Sequence, residues 1–249
     1  MRISENVEML ELETVLANGP GKIHPVLVWD EKDVVLLDAG LPGMGNEFRK
    51  SALSAGVPFD RLNHVILTHS DMDHVGSLAE ITKPFGGRVT ILAHSQEKPY
   101  IECELLPIRV QQMEVSAGKA VGAAREQLLA MISGLKKSYT LFKAKVDQTI
   151  AEGDVLPFCG GILCIHTPGH TPGHMCYYFE QSKLLIAGDI LQIVNGALVK
   201  CPDFTVLDKE ALTASLKKLC RYEIKEVICY HGGLFRDHVS QRIMEISGE

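Results

Sequence analysis

The chain has 249 residues and carries 25 Lys and Arg against 31 Asp and Glu, a net charge of −6 with its 10 histidines neutral. A mildly acidic chain without a basic run argues against nucleic acid or an anionic membrane as a partner. Its apolar runs, such as Val34–Leu37 and Leu184–Ala187, are strand-sized and far short of the roughly 20 residues that span a bilayer.

The first forty residues read as strands: Val7–Val15, His24–Trp29 and Val34–Leu37, the last running into Asp38-Ala39-Gly40-Leu41-Pro42-Gly43, a loop signal. A helix over about Gly45–Ala55 precedes the strand Val65–Thr68 and the loop His69–His74. A second helix starts near His74, with Val75, Leu78 and Ile81 at helical spacing. Arg88–Leu92 is again a strand. From Ser95 to Thr149 the period is helical, with Val121, Leu128, Ile132 and Leu135 on one face. Four strands follow, Val155–Phe158, Ile162–His166, Met175–Phe179 and Lys183–Ala187. Helix Lys209–Cys220, strand Val227–Tyr230 and a helix from about Asp237 close the chain. Strand runs followed by helices, twice over, suggest two sheets face to face with helices outside. One domain over residues 1–249 is expected, with a helical insertion at about 95–149. The opening residues turn acidic at once and show no secretory core, which gives the expectation of a cytoplasmic protein. Seven cysteines, an odd number without a Cys-x-x-Cys pair, read as small buried hydrophobes.

Chemistry concentrates around the histidines. Thr68-His69-Ser70-Asp71-Met72-Asp73-His74 places four potential metal ligands within six positions, directly after an apolar strand. Three isolated candidates occupy similar settings: His170 between two strands in Thr167-Pro168-Gly169-His170-Thr171-Pro172-Gly173-His174, Asp189 in Ala187-Gly188-Asp189, and His231 before Gly232-Gly233. Asp189 and His231 each follow a strand. In a layered sheet fold such positions can converge at one rim. Imidazole and carboxylate suit divalent zinc, iron or manganese, and no thiolate lies among them.

In these residues the chain resembles the metallo-β-lactamase-fold hydrolase superfamily over nearly its whole length. Asp38-Ala39-Gly40, the His69–His74 loop, His170, Asp189 and His231 look like that family's ordered motifs. The resemblance implies an α/β four-layer αββα sandwich with two divalent metal ions at the sheet edges, zinc foremost. By that resemblance His69, Asp71 and His170 would hold the first metal, Asp73, His74 and His231 the second, and Asp189 would bridge them. A metal-bridging hydroxide would attack the carbonyl of a small ester, thioester or lactone, with Asp73 helping to carry the proton.

One position departs from the pattern. The family usually shows His-x-His-x-Asp-His, and here Asp71 stands where the second histidine belongs. Two outcomes follow: a first site that is broken, or one whose harder oxygen ligand shifts preference toward iron or manganese. Flavodiiron proteins, a related branch, carry a Glu at this position and hold two irons. Three carboxylates and a bridging hydroxide also neutralise two divalent ions, which favours uncharged scissile groups. An iron redox protein of the flavodiiron or persulfide dioxygenase type is the alternative function, and a non-catalytic binding module a third.

By the same resemblance His174 is structural and Asp38 a loop organiser. His24, His64, His94, His166 and His238 read as ordinary surface or core histidines. Strand alternation points Tyr230 away from the site. The insertion offers Tyr100, Met113, Tyr139 and Phe142 as pocket lining, or else a helical pair that covers a sheet or makes a homodimer contact.

Overall fold

The computed structural model describes residues 1–16 and 19–248. The chain opens with β1 (Arg2–Ser4) and β2 (Val7–Met9), then a hairpin of β3 (Leu12–Leu16) and β4 (Gly19–Ile23). Next come β5 (Val26–Trp29), β6 (Val34–Leu37), α1 (Gly45–Ser54), β7 (His64–Ile66), α2 (Met72–Val75), α3 (Leu78–Thr82) and β8 (Thr90–His94). The segment expected as an insertion forms α4 (Lys98–Ile101), α5 (Ile108–Lys119) and α6 (Gly122–Ser138) before β9 (Gln148–Ile150). The second half runs β10 (Val155–Leu156), β11 (Ile162–His166), β12 (Met175–Phe179), β13 (Leu184–Ile186), β14 (Leu191–Val194), β15 (Ala197–Lys200), α7 (Lys209–Leu219), β16 (Glu226–Cys229), β17 (Gly233–Phe235) and α8 (Val239–Ser247).

Two sheets carry the fold, one in the order β1-β2-β5-β6-β7-β8-β9 and one in the order β10-β11-β12-β13-β16-β17. The alternation of side chains along each strand sorts them into layers. Val35 and Leu37 of β6 and Ile66 of β7 face β12, β13 and β16, meeting Met175, Tyr177, Ile186 and Ile228 in the core between the sheets. Their neighbours Val34, Leu36 and Val65 turn outward onto Phe48 and Ala52 of α1 and Leu78 and Ile81 of α3. On the other side Leu185, Val227 and Cys229 pack against Leu212, Leu216 and Leu219 of α7 and Val239 and Ile243 of α8. Helix, sheet, sheet and helix thus stack as four layers, the expected αββα sandwich.

Parallel pairing decides where the loops emerge. β6, β7 and β8 run side by side in parallel, with Leu37, Ile66 and Leu92 level. β13 and β16 are parallel in the other sheet, with Ile186 opposite Ile228. The loops after these strands leave from carboxyl ends, where open α/β sheets place their ligands. Tyr177 ties the layers together by donating its hydroxyl to the carbonyl of Leu67 across the core at 2.6 Å.

Three expectations need correction. The run Val7–Val15 is not one strand: it breaks after Met9, and Leu12–Leu16 turns into a hairpin with Gly19–Ile23. The helix expected near His74 is two short helices, α2 and α3. The stretch at 95–149 ends in β9, a strand of the first sheet that pairs in parallel with β8. Within its helical pair Ile132 is buried against Val110 and Ala117, with Leu128 and Leu135 beside them, while Val121 precedes α6 and is exposed.

Candidate metal centre

His69, Asp71, His170, Asp189 and His231 are presented by loops that follow strands, and Asp73 and His74 by α2, which continues the first of those loops. Beyond β7 the chain passes His69 and enters α2 at Met72, with Asp71 in extended backbone at the N-cap position and its carboxylate unused as a cap. That carboxylate is therefore available to the site. Asp189 follows β13 through Gly188, whose φ is +52° and whose missing Cβ leaves room for the His174 ring; a Cβ there would sit 2.6 Å from His174 Nε2. His231 follows β16, and its carbonyl accepts the Ile193 amide of the β14–β15 hairpin at 3.0 Å.

These loops bring all seven expected residues together. One group comprises Asp73, His74, Asp189 and His231, with ligand atoms within 4.8 Å of one another; a second comprises His69, His170 and Asp189 on the same criterion. Asp189 belongs to both. Its Oδ1 lies 3.2 Å from His74 Nε2, and its Oδ2 lies 3.2 Å from His231 Nε2 and 3.7 Å from His170 Nε2. Asp73 Oδ2 is 3.2 Å from His231 Nε2. Asp71 Oδ2 reaches the second group, 3.1 Å from His170 Nε2 and 3.5 Å from His69 Nε2.

The donor set fits divalent ions. His69 Nε2, His74 Nε2 and Asp189 Oδ1 are buried with no hydrogen-bond partner. Orphaned buried polar atoms are costly, and these three belong to the two groups that share Asp189. Charge coupling is strong around it. Burial alone would push the Asp189 carboxyl up, but His231 and His74 hold it well below the ordinary carboxylate range. Burial would likewise lower the two imidazoles, yet Asp189, Asp38 and Asp73 raise His74 well above its usual value. Asp189 and Asp73 raise His231 to about 10 in the same way. Three of these groups at neutral pH hold protons or charges that a metal would displace or neutralise.

A supporting layer fixes the ligands. Asp38 Oδ2 accepts His74 Nδ1–H at 2.9 Å, and Asp38 Oδ1 accepts the Thr68 amide at 2.8 Å. His174 Nε2 accepts the Asp189 amide at 3.0 Å, and its Nδ1 meets the Thr167 hydroxyl at 2.8 Å. Burial, then the rings of His69 and His170, keep the His174 value well below the ordinary one, so the ring stays neutral and its Nε2 remains an acceptor. Two supports escape sequence reasoning. Glu97, fully buried, accepts the Ser70 amide at 2.9 Å and the Gly173 amide at 2.7 Å, clasping both ligand loops. Tyr230 does not point away: its ring lies 3.9 Å from that of His74, and its hydroxyl donates to the Asp73 carbonyl.

The largest departure is Arg109. Its Nε and Nη2 donate to Asp71 Oδ2 at 2.8 and 2.6 Å, and Nη2 also donates to His170 Nε2 at 2.8 Å. Burial would raise the Asp71 carboxyl, but the neighbouring His170 and His69 rings and the Arg109 charge hold it well below the usual range. Of the expected lining residues, Tyr100, Met113, Tyr139 and Phe142 stay out of the cleft over the site; the helical segment contributes Arg109 instead. That cleft has a volume of about 410 Å³ and is also lined by Pro20, Met72, Gln192, Pro202 and Phe204. A third carboxylate in a crowded anionic site needs a cation, and that was the available signal for Arg109; nothing in its spacing gives its position.

The chain is similar to known proteins in sequence and in fold. Residues 18–231 match the model of the metallo-beta-lactamase superfamily. The chain is 27% identical over 211 residues to the probable metallo-hydrolase YflN of Bacillus subtilis, covering 80% of this chain and 75% of that one. It is 26% identical over 193 residues to the hydroxyacylglutathione hydrolase GloC of Haemophilus influenzae, covering 77% and 76%. Among solved structures, the metallo-beta-lactamase family protein TTHA1429 of Thermus thermophilus superposes with a TM-score of 0.73 at 18% identity, over 99% of this chain and 80% of that one. The chain belongs to the metallo-beta-lactamase superfamily.

Proposed function

We propose that this protein is a metal-dependent hydrolase that uses two divalent ions to open a small ester, thioester or lactone. The observation that carries the reading is the shared Asp189: one carboxylate joins two histidine-rich groups beneath a partly apolar cleft. Zinc is the first candidate, with iron or manganese favoured at Asp71 by its hard oxygen. When bound, such ions supply a water nucleophile at neutral pH and a Lewis acid for a carbonyl oxygen.

The chain's own residues do the rest. His74 and His231 turn Nε2 toward Asp189, and Asp38 fixes the His74 tautomer from behind. Asp73 is the carboxylate that carries the proton, because it faces the cleft and its main chain is pinned by Tyr230. Pro20, Met72, Pro202 and Phe204 offer an acyl group apolar contact. Arg109 offsets the one negative charge that Asp71 adds. Its Nη1 is engaged as well, by Gln112 Oε1 at 3.0 Å and the Thr205 carbonyl at 2.9 Å, so it has no N–H left for an anionic substrate. That supports an uncharged scissile group. The name of the Haemophilus relative, a hydroxyacylglutathione hydrolase, supports hydrolysis of an acyl derivative.

The test is a panel of esters, thioesters and lactones assayed with protein loaded in turn with zinc, manganese and iron, metal content being measured in parallel. Turnover of at least one class is expected, lost together with metal in Asp189→Ala. A protein that holds no metal, or one fully loaded and inactive on all three classes, overturns the reading.

A further inference from the structure

Arg109 sits where a cation is wanted, and the site already contains ligands aimed at that place. The lone pair of His170 Nε2 receives Arg109 Nη2–H at 2.8 Å, and Asp71 Oδ2, the oxygen nearest both histidines, receives two further N–H groups. One imidazole lone pair cannot serve an N–H donor and a metal together. The guanidinium has five donors, and all five are placed: two on Asp71 and His170 through Nη2, one on Asp71 through Nε, and two through Nη1 on Gln112 and Thr205. It is held by its own helix, by the His69–His74 loop and by the loop after β15. The other group, Asp73, His74, Asp189 and His231, has no arginine or lysine hydrogen-bonded or ion-paired to it among the described residues.

We infer that Arg109 is a resident cation of the first metal position, competing with a metal for Asp71 and His170, so that the two positions load unequally. The inference rests on the metal-hydrolase reading. The Asp73–His74–His231 position fills first. The His69–His170 position fills only when the guanidinium releases His170, and its apparent affinity falls by the fraction of time that Arg109 lets go. The pair Asp71 and Arg109 thereby replaces one neutral histidine with a carboxylate and its own counter-ion, and occupancy of the first position becomes conditional.

Zinc titration of the metal-free full chain, with a chromophoric competitor, tests this on the wild type and Arg109→Gln. The wild type should bind one tight equivalent and a second, weaker one. Arg109→Gln should tighten the second step by roughly tenfold or more and leave the first unchanged. In case the variant folds poorly, the wild type carries a second readout: an arginine Nε–H resonance should move with the second equivalent of zinc and stay fixed through the first. Two equal steps with no arginine signal moving overturn the inference, as does a single equivalent in both proteins. No zinc in either protein overturns the metal reading itself, and this inference with it.

Discussion

His74 donates its Nδ1 proton to Asp38 at 2.9 Å, both side chains buried. A carboxylate only accepts, so this bond fixes the tautomer and leaves Nε2 as the nitrogen that faces Asp189. Asp38 has a φ of +63°, a conformation that asparagine tolerates and most residues do not. Asp38→Asn should therefore fold, lose the charge behind His74 and lower metal affinity by roughly 10–100-fold. Competition titration against a chelator reads the change. Undiminished affinity would remove Asp38 from the support of the site.

Glu97 is the second support worth testing, because its two oxygens each accept a buried loop amide, from Ser70 and Gly173. Glu97→Gln keeps the shape but turns one acceptor into a donor, leaving one amide facing an N–H. An unsatisfied buried donor costs about 1–3 kcal/mol, which should lower Tm by several degrees and loosen metal binding along with it. A variant as stable as the wild type, with unchanged metal affinity, would show that the two loops hold their places without this clasp.

Most of the ligand set was legible because each member sits just past an apolar run, where sequence alone reveals a strand passing into a loop. His69, Asp189 and His231 follow β7, β13 and β16 in this way. Residues that act from a distance in sequence were not. Arg109 stands 38 positions from Asp71 in a helix whose periodicity reports only its own packing. Glu97 looks like any acidic residue until the fold brings Ser70 and Gly173 to it. The β14–β15 hairpin is a different case, since its signal was present. Asn195-Gly196 between Leu191–Val194 and Ala197–Lys200 is a strong two-residue turn signal, and both residues have positive φ, 51° and 78°. Tyr230 misled because alternation predicts which face a strand residue takes and Tyr230 lies just beyond β16, where the rule ends.

Protonation gives a prediction for the metal-free protein. Burial would lower the His231 value, but Asp189 and Asp73 raise it from 6.5 to about 10. The folded value lies above the unfolded one, so the bound proton stabilises the fold. That contribution is complete below pH 6.5 and is lost as pH rises through about 10. A metal claims the same nitrogen, so loading at neutral pH should release protons, and apparent affinity should rise with pH. Calorimetric titration in buffers of different ionisation enthalpy counts the protons. The chelated protein should lose Tm on the alkaline side sooner than the loaded one. Metal binding without proton release at neutral pH would show that His231 is not a ligand.

Asp71 and Arg109 should be separable only as a pair. Asp71→His alone removes the carboxylate that takes two of the guanidinium's bonds and leaves Arg109 beside His170 as an uncompensated positive charge. The added imidazole should then gain little, because a cation still occupies the approach to the first position. Asp71→His with Arg109→Gln restores a neutral ligand and removes the competitor. The double variant should bind a second equivalent more tightly than either single variant, with relative preference moved toward zinc over manganese, since imidazole is a softer ligand than carboxylate. Residues in contact commonly couple by about 0.5–3 kcal/mol, so the four proteins of the cycle should depart from additivity in second-step affinity by that order. Additive effects together with an unmoved zinc-to-manganese preference would mean that Asp71 touches no metal and that its bond to Arg109 serves only to anchor the helical segment.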